Sequence, residues 1–90
     1  DATALAADSH ALESVIRQRF PILSRREVEV CAWTATGSSV EDIAAGLNIS
    51  PTTVATFRRR AYAKLGIGSQ KELFAYLASQ MMPGQLATGR

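Results

Sequence analysis

The stretch Ser50-Pro51-Thr52-Thr53-Val54-Ala55-Thr56-Phe57-Arg58-Arg59-Arg60-Ala61-Tyr62-Ala63-Lys64 decides how this chain folds. Ser50 supplies a capping hydroxyl. Pro51 follows at the first helical position, where a missing N–H costs nothing. Turned at about 100° per residue, Val54, Phe57, Ala61 and Leu65 fall within one arc, the core face. Directly opposite stand Thr52, Thr56, Arg59 and Ala63, with Ala55 adjacent. Arg58 and Tyr62 flank one side of this ridge, Arg60 and Lys64 the other. From Thr52 to Lys64 there are four cations and no carboxylate. Phe57 is an aromatic among cations, but its place on the apolar arc makes it a packing residue, not a stacking platform.

Just upstream, Val40-Glu41-Asp42-Ile43-Ala44-Ala45-Gly46-Leu47 carries Val40, Ile43, Ala44 and Leu47 on one face. Ile49 can fill the angle where the two segments meet. A short helix, a tight turn and a second helix basic on its outer side form the pattern of a DNA-binding helix-turn-helix. The slim ridge suits a major groove, and cations on both shoulders suit the phosphates of the two strands. Arg59, at the centre of the ridge, is the expected base reader, because its fork matches guanine O6 and N7. Thr52, Arg58, Arg60 and Lys64 are expected at phosphates.

Further caps mark the other elements. Ser24 to Glu27 is a capping box, with serine at the N-cap and glutamate three residues on. Gly37 ends the helix it starts. Ser39 to Asp42 resembles a second box, closed by Gly46 and Asn48. Gly66 and Gly68 close the basic helix, Ser69 to Glu72 caps another, and Pro83-Gly84 stops it. The expectation is an all-α domain with helices at about 25–36, 40–47, 51–65 and 70–81. Leu12, Val15, Ile16 and Phe20 recur at helical spacing, so an extra N-terminal helix is expected from about Ser9 to Arg19, ended by Pro21. The organisation reads as an N-terminal helix or linker (1–21), a helix-turn-helix domain (22–83) and a tail (84–90), with residues 1–7 frayed.

On the helix after Ser24, Val28, Cys31, Ala32 and Ala35 make the core stripe. Cys31 is thus expected as a buried small apolar residue, not a reactive thiol. Val30 and Trp33 point the other way. Either Trp33 is a partly exposed residue of no consequence, or the N-terminal helix or a domain outside this chain packs there. On the last helix Leu73 and Leu77 face inward, while Phe74, Ala78 and Met81 form an outer arc suited to a symmetric contact.

Bulk properties agree. Ninety residues with 47% hydrophobic content fit one small domain. The net charge of +2 is unevenly spread. Residues 1–42 balance at −3 and residues 43–90 at +5, with no carboxylate between Asp42 and Glu72. That asymmetry points to a polyanion partner. A single cysteine excludes an intrachain disulfide and fits a reducing cytosol. No apolar run reaches membrane-spanning length, and no signal-peptide pattern opens the chain. The first residue is not Met, which reads as a piece of a longer protein.

Leu23 to Leu73 resembles the LuxR-type (FixJ- or GerE-like) helix-turn-helix domain. The family's L-[ST]-x-R-E stands here as Leu23-Ser24-Arg25-Arg26-Glu27. Its G-x-S-x-x-E-I-A stands as Gly37, Ser39, Asp42, Ile43 and Ala44. Its L-x-I-S-x-x-T-V stands as Leu47, Ile49, Ser50, Thr53 and Val54, and its K-L-G-V as Lys64-Leu65-Gly66-Ile67. Asp42 replaces a glutamate, Phe57 a frequent histidine and Gln70 a common arginine, so no phosphate contact is carried over to the last two positions. The resemblance implies a four-helix domain whose third helix enters the major groove. It implies base contacts at Ala55, Thr56 and Arg59, and phosphate contacts at Ser39, Thr53 and Lys64. It further implies a homodimer on a pseudo-palindromic site through the last helix. The domain would sit behind a receiver or ligand-sensing domain of a cytoplasmic, nucleoid-associated bacterial regulator, with RNA polymerase as a candidate partner.

Two other readings use the same residues. Sigma factor region 4 shares the cap and turn logic, but it normally ends near the basic helix, without a KLGI turn and a further capped helix. A helical protein-interaction module could use Leu73, Phe74, Leu77 and Met81, but leaves the acid-free stretch around Arg58–Arg60 without a purpose. Enzyme chemistry has little support. The one histidine, His10, reads as a solvent-exposed residue, and no metal-ligand cluster, nucleophile–base pair or phosphate loop is present. No metal or cofactor is expected.

Overall fold

The computed structural model describes the backbone of residues 2–81 and the side chains of residues 10–79. Five helices occur in order: α1 (Ala2–Arg19), α2 (Arg25–Ala35), α3 (Val40–Leu47), α4 (Pro51–Leu65) and α5 (Gln70–Met81). No strand is present among the described residues. The four helices expected from the caps have these bounds to within a residue. The N-terminal helix is longer than its apolar spacing suggested and begins at Ala2. The tail from Gly84 lies outside the described residues.

The caps do what their chemistry allows. Ser24 Oγ accepts the Glu27 N–H, and Glu27 Oε1 accepts the Ser24 N–H at 2.8 Å. Ser39 and Ser50 accept the N–H groups of Asp42 and Thr53. Before α5, Glu72 reaches one residue further back than in a standard box, to the Gly68 N–H, while Ser69 caps the Glu72 N–H. Gly66 ends α4 at φ 74°, the left-handed conformation that a Cβ disfavours. α3 is ended by Asn48 at φ 59°, not by Gly46, which lies inside the helix. Gly46 has another reason: a Cβ there would stand 2.8 Å from Trp33 Cη2.

Trp33 thereby corrects the expectation for α2. Val30 is fully buried, and the partly buried Trp33, like Val40, Leu47, Ile49 and Phe57, packs against the cluster of Val30, Ile43, Ala44 and Val54. The cover on this face comes from α3 and α4, not from α1 or an absent domain. α1 lies on the other face, where Ile16 and Phe20 join Val28, Cys31, Ala32, Ala61, Leu73 and Leu77. α2 contacts all four other helices. A helix surrounded in this way needs two apolar stripes, and Trp33 belongs to the second, where α2 meets α3.

The remaining core expectations hold. Val54 and Ala61 are fully buried, Phe57 is half-buried against the α3 cluster, and Leu65 packs against the α1 cluster. Cys31 is buried, and burial, followed by the nearby Glu27 charge, pushes its thiol pKa up to about 12. Phe20 and Tyr76 rings meet at a centroid distance of 5.2 Å, tying the end of α1 to α5.

Candidate nucleic-acid interface

α3 and α4 are set at an angle by a three-residue turn. Asn48 reverses the chain, Ile49 donates its N–H to Ala44 O at 3.0 Å and packs into the α3–α4 cluster, and Ser50 caps α4. With Val54, Phe57 and Ala61 turned inward, the opposite ridge is left to solvent. Thr52 and Arg59 are exposed on it, and Ala55 and Thr56 are partly exposed. On the shoulders, Arg60 and Lys64 are exposed and Arg58 partly so. The layout drawn from the helical wheel is therefore the layout of the fold.

Several cations outside this ridge are paired, although Arg19 and Lys71 take part in no ion pair among the described residues. Arg17 pairs with Glu13, and Arg25 and Arg26 pair with Glu29. Arg58, Arg59 and Arg60 take part in no ion pair among the described residues. Three adjacent guanidiniums thus keep their charge and their donors available.

Lys64 is different. Its Nζ lies 2.7 Å from Glu27 Oε1 and 3.3 Å from Ile22 O. The Glu27 carboxyl is buried. Burial by itself would raise its pKa, but the hydrogen bonds from Lys64 and Ser24 and the Lys64 charge outweigh it and hold the carboxyl below its ordinary value. A phosphate contact from Lys64 would have to share the ammonium with this pair. Nothing local in the sequence announces it, since the partners come from different helices.

The hydroxyls near the α4 N-terminus are also placed. Thr53 Oγ1 lies 2.8 Å from Ser50 Oγ, and Ser39 is exposed at the start of α3. Thr56 Oγ1 donates to Thr52 O at 3.1 Å. Gln70, where the resemblance has an arginine, donates Nε2 to Thr34 O and ties α5 to the end of α2. On α5, Leu73 and Leu77 are buried while Phe74 and Ala78 are exposed. The Met81 side chain lies outside the described residues.

Comparison with known proteins agrees with this architecture. The family described as "GerE: Bacterial regulatory proteins, luxR family" matches residues 21–77. The chain belongs to the luxR family of bacterial regulatory proteins. It is a DNA-binding domain of the transcription-regulator type. The chain is 40% identical over 75 residues to "Probable transcriptional regulatory protein NarL" of Mycobacterium tuberculosis (strain ATCC 25618 / H37Rv), covering 79% of this chain and 35% of that protein. It is 39% identical over 72 residues to a "Putative HTH-type transcriptional regulator in exeN 3'region" of Aeromonas salmonicida, covering 74% and 37%. It is 39% identical over 54 residues to "Response regulator UvrY" of Escherichia coli (strain K12), covering 60% and 25%. The matches thus span between a quarter and two fifths of these relatives' lengths. No solved structure matches the chain significantly. Among the described residues, no helix is long and apolar enough to cross a membrane.

Proposed function

We propose that this LuxR-family domain reads double-stranded DNA by laying α4 in the major groove. Ala55, Thr56 and Arg59 face base edges. Ser39, Thr52, Thr53, Arg58 and Arg60 face phosphates, with Lys64 contributing only as far as its pair with Glu27 permits. The observation that carries this reading is the run Arg58–Arg60: three guanidiniums on the outer side of one helix, none with a carboxylate partner among the described residues. In a small domain such a run is costly in self-repulsion unless a polyanion neutralises it.

On a pseudo-palindromic site two copies meet through the outer arc of α5, where Phe74 and Ala78 are exposed. The chain works as the DNA-binding part of a longer cytoplasmic regulator, a reading supported by its matching only a quarter to two fifths of its relatives' lengths. RNA polymerase is the natural further partner of a transcriptional regulator.

The test is titration of a fluorescent duplex pool at increasing salt. Each neutralised phosphate adds about −0.9 to the slope of log affinity against log salt. A slope of several units supports groove docking with phosphate contacts, and a flat response rejects it.

A further inference from the structure

The Thr56 hydroxyl has a fixed polarity. Its oxygen lies 3.1 Å from Thr52 O, and a carbonyl oxygen can only accept. The Thr56 proton is therefore committed to its own helix. What remains on the outer side of Oγ1 is lone-pair density, beside the Thr56 methyl. The Thr52 carbonyl can hold this bond together with its helical N–H bond, because it has two lone pairs. The other two threonines of the helix are placed differently: Thr53 is engaged with Ser50 at the cap, and Thr52 stands at the first turn. Thr56 alone sits mid-ridge, one turn before Arg59, which offers donors only.

We infer that Thr56 is a specificity-determining residue that selects a base carrying an exocyclic amino group in the major groove, adenine through N6 or cytosine through N4. The inference rests on the groove docking of α4 proposed above. Guanine O6 and thymine O4 are acceptors and would meet an acceptor. Adenine and cytosine present an N–H that the Thr56 oxygen can take without giving up its bond to Thr52. Three residues advance about 4.5 Å along a helix, close to one base step of about 3.4 Å. The amino-bearing base thus lies within a step or two of the guanine expected opposite Arg59.

The experiment compares the wild-type chain with Thr56→Val and Thr56→Ser in selection from a random duplex library. The selected site is then re-measured with the exocyclic amino group deleted (purine for adenine, 2-pyrimidinone for cytosine). Valine keeps the shape and loses the oxygen. Serine keeps the oxygen and its bond to the helix. The expected result is a preference for one base pair at one position, present in wild type and Thr56→Ser and absent in Thr56→Val. Deleting the amino group should weaken wild-type binding about three- to tenfold, the worth of one neutral hydrogen bond, and leave Thr56→Val unaffected. The preferred base of the pair says which of the two amino groups is read. Wild-type binding unchanged by the amino deletion at the Thr56-sensitive pair would overturn the inference, because the hydroxyl would then be donating outward to the keto group. So would a preference matrix unchanged in Thr56→Val. In both cases salt-dependent duplex binding persists, and the docking of α4 stands. Loss of all salt-dependent binding in the wild-type chain would instead reject the docking, and the inference with it.

Discussion

Lys64 Nζ lies 2.7 Å from Glu27 Oε1 and links the last turn of α4 to the first turn of α2. The same carboxylate oxygen accepts the Ser24 N–H, so one buried atom closes a capping box and anchors the basic helix. This couples the orientation of α4 to the start of the domain. Lys64→Ala would leave the carboxylate buried with the Ser24 groups alone. The expected cost is about 1–3 kcal/mol, read as a fall of several degrees in melting temperature by circular dichroism. The salt slope of DNA binding should stay near the wild-type value. A wild-type melt with a slope reduced by about 0.9 would instead make Lys64 a phosphate ligand first.

The same pair sets a pH dependence. The Glu27 carboxyl titrates below its ordinary value in the folded chain. Its contribution to stability is therefore complete above the ordinary glutamate range and is lost as pH falls through the folded value. Urea midpoints measured at about pH 7 and about pH 3 should fall further in wild type than in Glu27→Gln, which is less stable at neutral pH but insensitive at this position. Equal acid losses in the two proteins would show that other carboxylates govern the acid limb.

Gly46→Ala tests the wall between α2 and α3. Alanine is the better helix former by about 1 kcal/mol, so propensity alone favours the change. Against it, the new Cβ would stand 2.8 Å from Trp33 Cη2, and Trp33 is packed against the core cluster of Val30, Ile43, Ala44 and Val54. Overpacking of this kind costs about 1–3 kcal/mol, so a net loss of stability is expected. Trp33 is the only tryptophan, so a shift in native fluorescence would accompany it. A stabilised protein with unchanged emission would mean that the ring moves aside freely.

Trp33 also shows what the sequence could and could not disclose. Caps are local chemistry, a serine with a carboxylate three residues on or, at α4, a serine followed by proline, and they placed α2 to α5 to within a residue. The outward ridge of α4 follows from helical geometry and its charges, so Thr52, Thr56, Arg59 and Arg60 were legible before any fold was known. Trp33 is partly exposed, one of the two expectations for it, but the expectation of a cover from α1 or another domain fails because α2 was credited with one buried stripe. Whether a helix lies at the centre or at the edge of a bundle is a tertiary fact without a local signal. The Lys64–Glu27 pair, the Gln70–Thr34 tie and the Phe20–Tyr76 contact were invisible for the same reason. Each joins residues on different elements.

Arg59 and Arg60 differ in their place on α4 more than in their chemistry. Arg59 is central on the ridge and Arg60 is on its shoulder, and both are exposed. Arg59→Ala is expected to cost on the order of 1–3 kcal/mol on the preferred site and to relax the preference at one base pair. Arg60→Ala should weaken all duplexes alike and reduce the salt slope by about 0.9. Selection from random duplexes reads the first effect, and salt titration reads the second. An unchanged preference matrix in Arg59→Ala would mean that α4 is rotated in the groove from the orientation drawn above.

Phe74 is 41% exposed, although Leu73 beside it is fully buried and Leu77 nearly so. The α5 core face is thus complete without the Phe74 ring. Phe74→Glu should therefore change the melting temperature little, as surface substitutions usually stay within about 0.5 kcal/mol. If the outer arc of α5 is the two-fold contact, two glutamates would face each other across it, and cooperative binding to a full site should be lost while half-site affinity persists. The patch is small, so wild-type association without DNA is expected to be weak, and the two-fold should form mainly on the site. Analytical ultracentrifugation of the free chain, with binding isotherms on half and full sites, reads all three quantities. A large drop in melting temperature would put the ring to structural use. Equal cooperativity in mutant and wild type would remove α5 as the dimer contact and direct attention to α1.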